Sequence, residues 1–411
     1  MKNRTNLIFA HNLLKGFADS LIKAFIPLII LKNSGSLLMV FVYLNAYYFL
    51  CGIFYLILKK FLQKYGLVAI MLHIIPIIVA QILLSTLPMT WWLIIVLALV
   101  MCFAQVLYYV PLNTIFSISD KDANVAKFSI ATNVGKMIFL LLSGYVLGAD
   151  FKNNILILCI VATVLYLVSV VPIMFGYGLL KNSYLEKVKN PPRTDKKSYL
   201  PFNIWHMCFG IYQNVMDVIL PIYLFVNHLD FQAVAIVMVL VEACKVGANL
   251  FAKFLVKKKL SFLSCCISVV TFLAGCIVIL IVKVPVVLYI CSCLIAISFP
   301  LLNVPMFGVL CKKLRFDNNQ TDGMFYRDVY ILPSKDIMLV WWFAFPIFEL
   351  QFAVGMAGSL GMLICSRLVL KKNGSGKNEN KKEITDVSTP KEGETEAVET
   401  PQTEIEENQQ N

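Results

Sequence analysis

Charged side chains occur inside segments that are otherwise apolar enough to cross a bilayer. The clearest case is residues 6–31, where Lys15, Asp19 and Lys23 are spaced four apart and so share one face of a helix. A charge at the centre of a bilayer costs about 2.5–3.5 kcal/mol on insertion scales, so such groups normally face a partner or a water-filled cavity. We therefore expect this helix to lie inside a bundle, where its charges can bind or move a polar solute.

Deep charges recur in later apolar segments. With the three charges of residues 6–31 they make eleven. If all eleven charged side chains faced lipid, the insertion cost would be on the order of 30 kcal/mol, more than the whole stability of a folded protein. We therefore expect them to face a common polar interior. The alternative is that they pair only to hold helices together, which the helical spacings within residues 15–23 and 242–245 permit; for each residue, both roles stay open. The later charges are Lys136, Asp217, Glu242, Lys245, Arg327, Asp328, Lys335 and Asp336.

The composition is that of an integral membrane protein. Of 411 residues, 59% are apolar and 15% charged, and the mean hydropathy is +0.76, which no soluble globular domain of this length approaches. The net charge of +12 comes from basic clusters between apolar runs, so it indicates cytoplasmic loops and not nucleic-acid binding. The sequence has no metal-ligand spacing, nucleophile–base pair or phosphate-binding loop. It therefore predicts no enzyme, cofactor or metal, and no use of ATP by this chain.

Apolar runs of spanning length predict twelve transmembrane helices. They fall at about 6–31, 36–58, 67–87, 90–115, 127–148, 154–180, 200–226, 231–256, 261–283, 286–311, 323–346 and 347–370. This divides the chain into an N-terminal six-helix bundle (1–180), a basic linker (181–199), a C-terminal six-helix bundle (200–370) and an acidic tail (371–411) predicted to be disordered.

Basic residues also predict the orientation. With both termini inside, only Lys32, Lys152 and Lys283 fall on outer segments, whereas the inner segments carry many more. By the positive-inside rule, both termini are predicted to be cytoplasmic, in the plasma membrane. The short loops and the Lys-, Asn- and Ile-rich composition are typical of a bacterial protein.

The two halves of the chain resemble each other. A shift of 194 residues places Gly16 on Gly210, Lys23 on Asp217 and Pro27 on Pro221, and a nearby shift places KFLQK (60–64) on KFLVK (253–257). A parallel repeat of this kind is typical of two-bundle secondary transporters.

With these features the chain resembles the major facilitator superfamily over about residues 1–370. Between helices 2 and 3 that family usually carries Gly, Asp, a basic residue, Gly and further basic residues. Here the stretch is LKKFLQKYGLV, with Gln63 in place of the Asp, followed by Lys64 and Gly66 but not by the later basic pair. The subfamily therefore stays unassigned. The resemblance implies an all-α membrane protein, with twelve transmembrane helices in two pseudo-symmetric six-helix bundles around a central cavity.

The predicted function is secondary active transport by alternating access, coupled to protons or to another solute. Lysines on helices 1, 5, 8 and 11 favour a small anionic or polyhydroxylated substrate. Two alternatives stay open: export of an amphipathic drug or lipid, and a non-transporting membrane sensor, although the residues after Lys372 supply no folded output domain. We expect a monomer whose partners are its small-molecule substrate and membrane lipids. The predicted cavity residues are Lys15, Asp19, Lys23, Lys136, Asp217, Glu242, Lys245, Arg327, Lys335 and Asp336.

Asp217 has two predicted roles. Lysines one turn away hold Asp19 and Glu242 ionised, whereas Asp217 has no such neighbour on its own helix, so it is the predicted proton carrier. The repeat also places Lys23 and Asp217 at equivalent depths, which predicts that they meet as an outer gate when that side closes.

Overall fold

A computed structural model describes residues 2–118, 122–178, 180–181, 199–227, 230–317 and 319–386. Within these ranges the regular elements are helices, in the order predicted for twelve spans, so the predicted all-helical fold class is confirmed. The N half comprises α1 (Lys2–Leu21 with Ile26–Ser34), α2 (the part of Leu37–Leu72 before a break at Tyr65), α3 (the part of Leu37–Leu72 after Tyr65, with Ile74–Thr86), α4 (Trp91–Ile118), α5 (Asp122–Ala149) and α6 (Phe151–Phe175). The C half comprises α7 (Leu200–Asn214 with Leu220–Val226), α8 (Phe231–Lys257), α9 (Ser261–Ile281), α10 (Pro285–Phe316), α11 (Gln320–Ala344) and α12 (Phe348–Asp386).

Most of these helices suit a bilayer. Among the described residues, eight helical segments are long and apolar enough to cross a membrane by length and composition. The segments of α1 and α11 are not among the eight. These two spans contain Lys15, Asp19 and Lys23 and the four deep charges between 327 and 336, which lowers their mean hydropathy. The charged side chains of these two spans therefore need polar partners inside the bundle.

The predicted linker and tail lie mainly outside the described residues. Residues 182–198 of the linker and 387–411 of the tail are not described. Residues 371–386 of the tail are helical, whereas the sequence predicts disorder from residue 371. The disorder of the remaining tail stays a prediction.

Polar residues at the loops define where helices begin. Asp230 and Asp150 accept hydrogen bonds from backbone N–H groups three residues later, at 2.8 and 3.3 Å, and so cap α8 and α6. Ser36 caps α2 in the same way. Gly35 ends α1 with a φ of 65°, a left-handed conformation that glycine adopts without a Cβ clash.

The two halves pack through α5 against α8 and α2 against α11. Gly144 on α5 lies so close to Ala235 on α8 that a Cβ there would overlap it, and small residues let helix backbones approach in this way. The Phe41 ring of α2 stacks on the Trp342 ring of α11, with centroids 3.9 Å apart and planes 3° from parallel. These contacts lie toward the end of the bundle that carries Gly35, which we call the loop face. The opposite end, with residues 181 and 199, is the linker face.

Helices α1 and α7 are interrupted at matching positions. In α1 a short 3-10 segment, Lys23–Phe25, precedes Pro27. In α7 a π-helical turn, Val215–Ile219, precedes Pro221. The two prolines match under the 194-residue shift of the repeat, and π-turns inside helices are frequent at functional sites. The interruptions contain Lys23 and Asp217, the pair that the sequence predicts as a gate.

Candidate functional site

A cavity of about 330 Å³ is lined by both halves. Its walls come from α1, α2, α4 and α5 of the N half and from α7 and α8 of the C half. Six of the ten residues predicted to form the binding cavity line it: Asp19, Lys23, Lys136, Asp217, Glu242 and Lys245.

The other four predicted residues lie away from the cavity wall. Lys15 is buried behind Asp19, and the buried Lys335 lies behind Asp217. Arg327 forms an ion pair with its neighbour Asp328, at 2.9 Å between Nη1 and Oδ1. Asp336 is half-buried on α11 and precedes the exposed apolar residue Ile337. Of these four, Lys15 and Lys335 act on the cavity through the carboxylates that they contact.

Each carboxylate of the cavity has a lysine partner. Asp19 Oδ2 lies 2.5 Å from Lys15 Nζ, and Asp19 Oδ1 accepts a hydrogen bond from the Tyr166 hydroxyl at 2.5 Å. Glu242 Oε1 lies 2.8 Å from Lys245 Nζ. Such partners are needed because an unpaired buried charge is strongly destabilising.

Asp217 is the most weakly paired of the three carboxylates. Its Oδ2 accepts a hydrogen bond from Gln213 Nε2 at 2.8 Å and lies 3.9 Å from Lys335 Nζ. Its side chain is 36% exposed, against 18% for Asp19 and 11% for Glu242. The sequence missed Lys335 as a partner because the two residues lie on α7 and α11, far apart along the chain.

Two lysines of the cavity have no carboxylate partner. Lys23 donates a hydrogen bond to Gln105 Oε1 at 3.3 Å, and its Nζ lies 5.5 Å from the centre of the Tyr109 ring. Lys136 has neither a hydrogen bond nor an ion pair with any described residue. The cavity and the lysines paired to it thus contain five ammonium groups and three carboxylates, an excess of two positive charges.

The two walls of the cavity differ in chemistry. Both lysines without a carboxylate partner belong to the N half. The N-half wall also contains tyrosines of α2 and α4. The α2 tyrosines were not identified as candidate site residues from the sequence. The C-half wall is apolar apart from its paired charges. The tyrosines are Tyr43, Tyr47, Tyr48 and Tyr109, and the apolar C-half side chains are Met216, Val218, Leu220, Pro221, Leu224, Val237, Met238 and Val241.

At the linker face, polar contacts join the halves. Asp322 Oδ1 of α11 accepts a hydrogen bond from Gln63 Nε2 at 2.7 Å and lies 3.0 Å from Lys59 Nζ. Asn113 Nδ2 of α4 donates to Asp328 Oδ2 of α11 at 3.2 Å. An amide at position 63 can donate to Asp322, whereas a carboxylate there would repel it, so the departure from the resembled motif fits this partner.

Aromatic contacts join the halves at the loop face. Besides the Phe41–Trp342 stack, the Phe25 ring of α1 lies 6.3 Å from the Phe231 ring of α8. The halves are therefore in contact on both sides of the cavity. In this conformation Lys23 and Asp217 both line the cavity but do not form an ion pair with each other.

The described residues offer no cluster of three or more His, Cys, Asp or Glu side chains that could hold a metal ion. The twelve cysteines are free thiols, most of them buried in helix packing.

Comparison with known proteins supports the helical architecture. The sequence profile of the Major Facilitator Superfamily matches residues 8–321. Two crystal structures of a bacterial homologue of the iron transporter ferroportin, in an outward-facing state with and without soaked iron, superpose with a TM-score of 0.66. Each is 16% identical and covers 90% of this chain and 98% or 99% of its own, so the likeness shows the fold. None of the curated proteins compared by sequence is a match.

Proposed function

The chain belongs to the Major Facilitator Superfamily and is a multi-pass membrane transporter, and from this premise we propose that its substrate is a small organic anion moved by alternating access. The single observation that carries the proposal is the excess of two positive charges at the cavity, from Lys23 and Lys136. The resemblance to the family drawn from the sequence is confirmed, and with it the prediction of a transporter and not an enzyme.

An anion fits because it removes an electrostatic cost. Two ammonium groups in one cavity repel each other, and each loses part of its hydration. A bound carboxylate or phosphate restores partners to both and forms charge-assisted hydrogen bonds. The three carboxylates of the cavity have closer lysine partners, so they attract Lys23 and Lys136 only at longer range and form no ion pair with either.

The apolar wall of the C half favours an anion with an apolar part. Met216, Met238 and their apolar neighbours present hydrocarbon to the cavity, and covering it stabilises a complex by about 25 cal/mol per Å². The tyrosine hydroxyls of the N half can in addition bind hydroxyl groups of a substrate. Export of an amphipathic compound is therefore the second candidate, supported by this wall.

Transport of a metal cation is less favoured by the geometry. The crystallised bacterial ferroportin homologues carry the name of an iron transporter, but in this chain the cavity carboxylates are held by lysines. A divalent cation would have to displace Lys15 or Lys245 from buried ion pairs, or bind Asp217 against the repulsion of Lys335, and two further ammonium groups line the same cavity. That repulsion opposes cation binding.

The conformational cycle follows from the contacts between the halves. We take the linker face as cytoplasmic, in the plasma membrane, from the distribution of basic residues. Opening to that side then breaks the Asp322 contacts, and opening to the other side separates Phe41 from Trp342. Asp217 remains the proposed proton carrier because it is the most exposed and most weakly paired carboxylate. Lys23 and Asp217 remain the proposed outer gate, in a conformation other than this one.

The test is ligand stabilisation of the purified full-length protein. A panel would contain organic monoanions and dianions, neutral sugars, amines and divalent metal ions matched in size. A ligand raises the apparent stability by RT ln(1 + [L]/Kd), so anions should shift the melting temperature and the other classes should not. Hits are then followed as flux into proteoliposomes. Stabilisation by neutral sugars or by cations alone would overturn the proposal.

A further inference from the structure

We propose that a second cavity, on the linker face of the N half, binds the headgroup of an anionic phospholipid. This cavity has a volume of about 240 Å³. It lies where α2 passes into α3 and where the chain leaves α6, away from the cavity between the halves. It does not depend on which substrate the protein carries. Its lining residues are Lys64, Tyr65, Gly66, Leu67, Val68, Tyr177 and Lys181.

The cavity owes its shape to a break between two helices. Tyr65 has φ −119° and ψ 29°, outside the helical range, inside the otherwise continuous segment Leu37–Leu72. The break turns the chain from α2 into α3 and leaves a concave surface against Tyr177 after α6. The backbone break at Tyr65 therefore shapes the site.

Its charge is entirely positive. Lys64 and Lys181 line the cavity, no carboxylate lines it, and neither lysine has an ion-pair partner among the described residues. Each ammonium is positioned by an aromatic ring: Lys64 Nζ lies 5.1 Å from the centre of the Tyr65 ring, and Lys181 Nζ lies 5.6 Å from that of Tyr177. Two positioned cations facing one cavity bind a single anionic group such as a phosphate.

Apolar lining identifies the phosphate as that of a lipid. Leu67 and Val68 line the same cavity at the start of the apolar span α3, so one wall continues into the hydrocarbon region. Tyrosines are the residues that sit at the headgroup level of a bilayer, and basic residues next to a span attract anionic lipids. A glycerophosphate headgroup fits the lysines while its acyl chains follow α3.

The experiment measures lipid binding to the full-length protein in detergent. Native mass spectrometry with phosphatidylglycerol or phosphatidylcholine added gives the bound fraction against lipid concentration. We expect phosphatidylglycerol to bind more tightly, and the variant Lys64→Gln/Lys181→Gln to bind it about 30-fold more weakly, since each basic residue near an anionic surface contributes about 1 kcal/mol, or about fivefold. The variant Lys64→Arg/Lys181→Arg should retain binding.

A matched control separates this site from general surface charge. Lys257, the counterpart of Lys64 in the repeat, and Lys258 are two lysines at the same face of the C half. The variant Lys257→Gln/Lys258→Gln removes the same charge and should leave the lipid affinity unchanged. Equal losses in the two double variants would overturn the proposal. So would glycerol 3-phosphate competing as strongly as the lipid, because the site would then serve a soluble phosphate.

Discussion

Lysines 136 and 245 line the same cavity, yet replacing Lys245 by Met should lower stability and replacing Lys136 by Met should not. Lys245 is the partner of Glu242, whose side chain is only 11% exposed. Its loss leaves a buried carboxylate without a partner, which costs about 3–5 kcal/mol. Lys136 forms no ion pair or hydrogen bond with a described residue, so Lys136→Met removes a charge whose burial costs up to about 2.5–3.5 kcal/mol.

We therefore expect Lys245→Met to lower the melting temperature of the ligand-free protein by about 5 °C or more. Lys136→Met should leave the melting temperature unchanged or raise it. The affinity for the organic anion should fall about 10- to 100-fold in Lys136→Met, because a hydrogen bond to a charged group contributes about 1.5–3 kcal/mol. The double variant Lys245→Met/Glu242→Gln should recover most of the lost stability.

The assay is thermal unfolding of the purified variants, with and without the anion that gives the largest shift for the wild type. Loss of stability in Lys136→Met as large as in Lys245→Met would refute the assignment of Lys136 as an unpaired lysine. Unchanged anion affinity in Lys136→Met would refute its role in binding, even if the stability changes follow the expected order.

Four further outcomes follow from the geometry. Asp217→Asn should abolish uptake driven by a pH gradient while leaving substrate binding intact; full pH-driven uptake would exclude Asp217 as the proton carrier. Exchanging the charges of Lys23 and Asp217 should preserve transport better than either single reversal, and equal loss in all three variants would argue against a gate. Asp322→Asn should increase hydrogen exchange at the linker-face ends of α2 and α11, modestly because a half-exposed ion pair contributes about 0.2–1 kcal/mol; unchanged exchange would contradict its role there. Gly144→Ala should destabilise the protein by about 1–3 kcal/mol through overpacking against α8, whereas Gly308→Ala, whose Cβ meets nothing within 4 Å, should not.

Much of the site could be predicted from charge placement alone. A charge inside an apolar segment must face the protein interior, so the spacing of Lys15, Asp19 and Lys23 was enough to indicate a polar cavity beside α1. The pairs Lys15–Asp19 and Glu242–Lys245 are also local, one turn apart on a single helix, and both are present. Ion pairs of this kind can be predicted because a spacing of three or four residues places two side chains on the same face of a helix.

Pairings between helices could not be predicted in the same way. The contact of Asp217 with Lys335 depends on how α7 packs against α11, and the contact of Gln63 with Asp322 joins the two halves. Neither pair has a spacing that marks it in the sequence. Their charge predicts that Arg327 and Asp336 line the cavity, but neither is among its lining residues. Which side chains of α11 face the cavity depends on the rotation of this helix about its axis. A single sequence does not determine that rotation.

The difference between the two cavity walls has a consequence for the order of events in transport. The groups proposed to bind the anion, Lys23, Lys136 and the tyrosines, all belong to the N half, while the C-half wall is mainly apolar. When the bundles separate, the cargo should stay with the N half and lose only its apolar cover. The C half would then move away from a substrate that stays bound to the N half, and the substrate would be released only when water replaces it at the lysines.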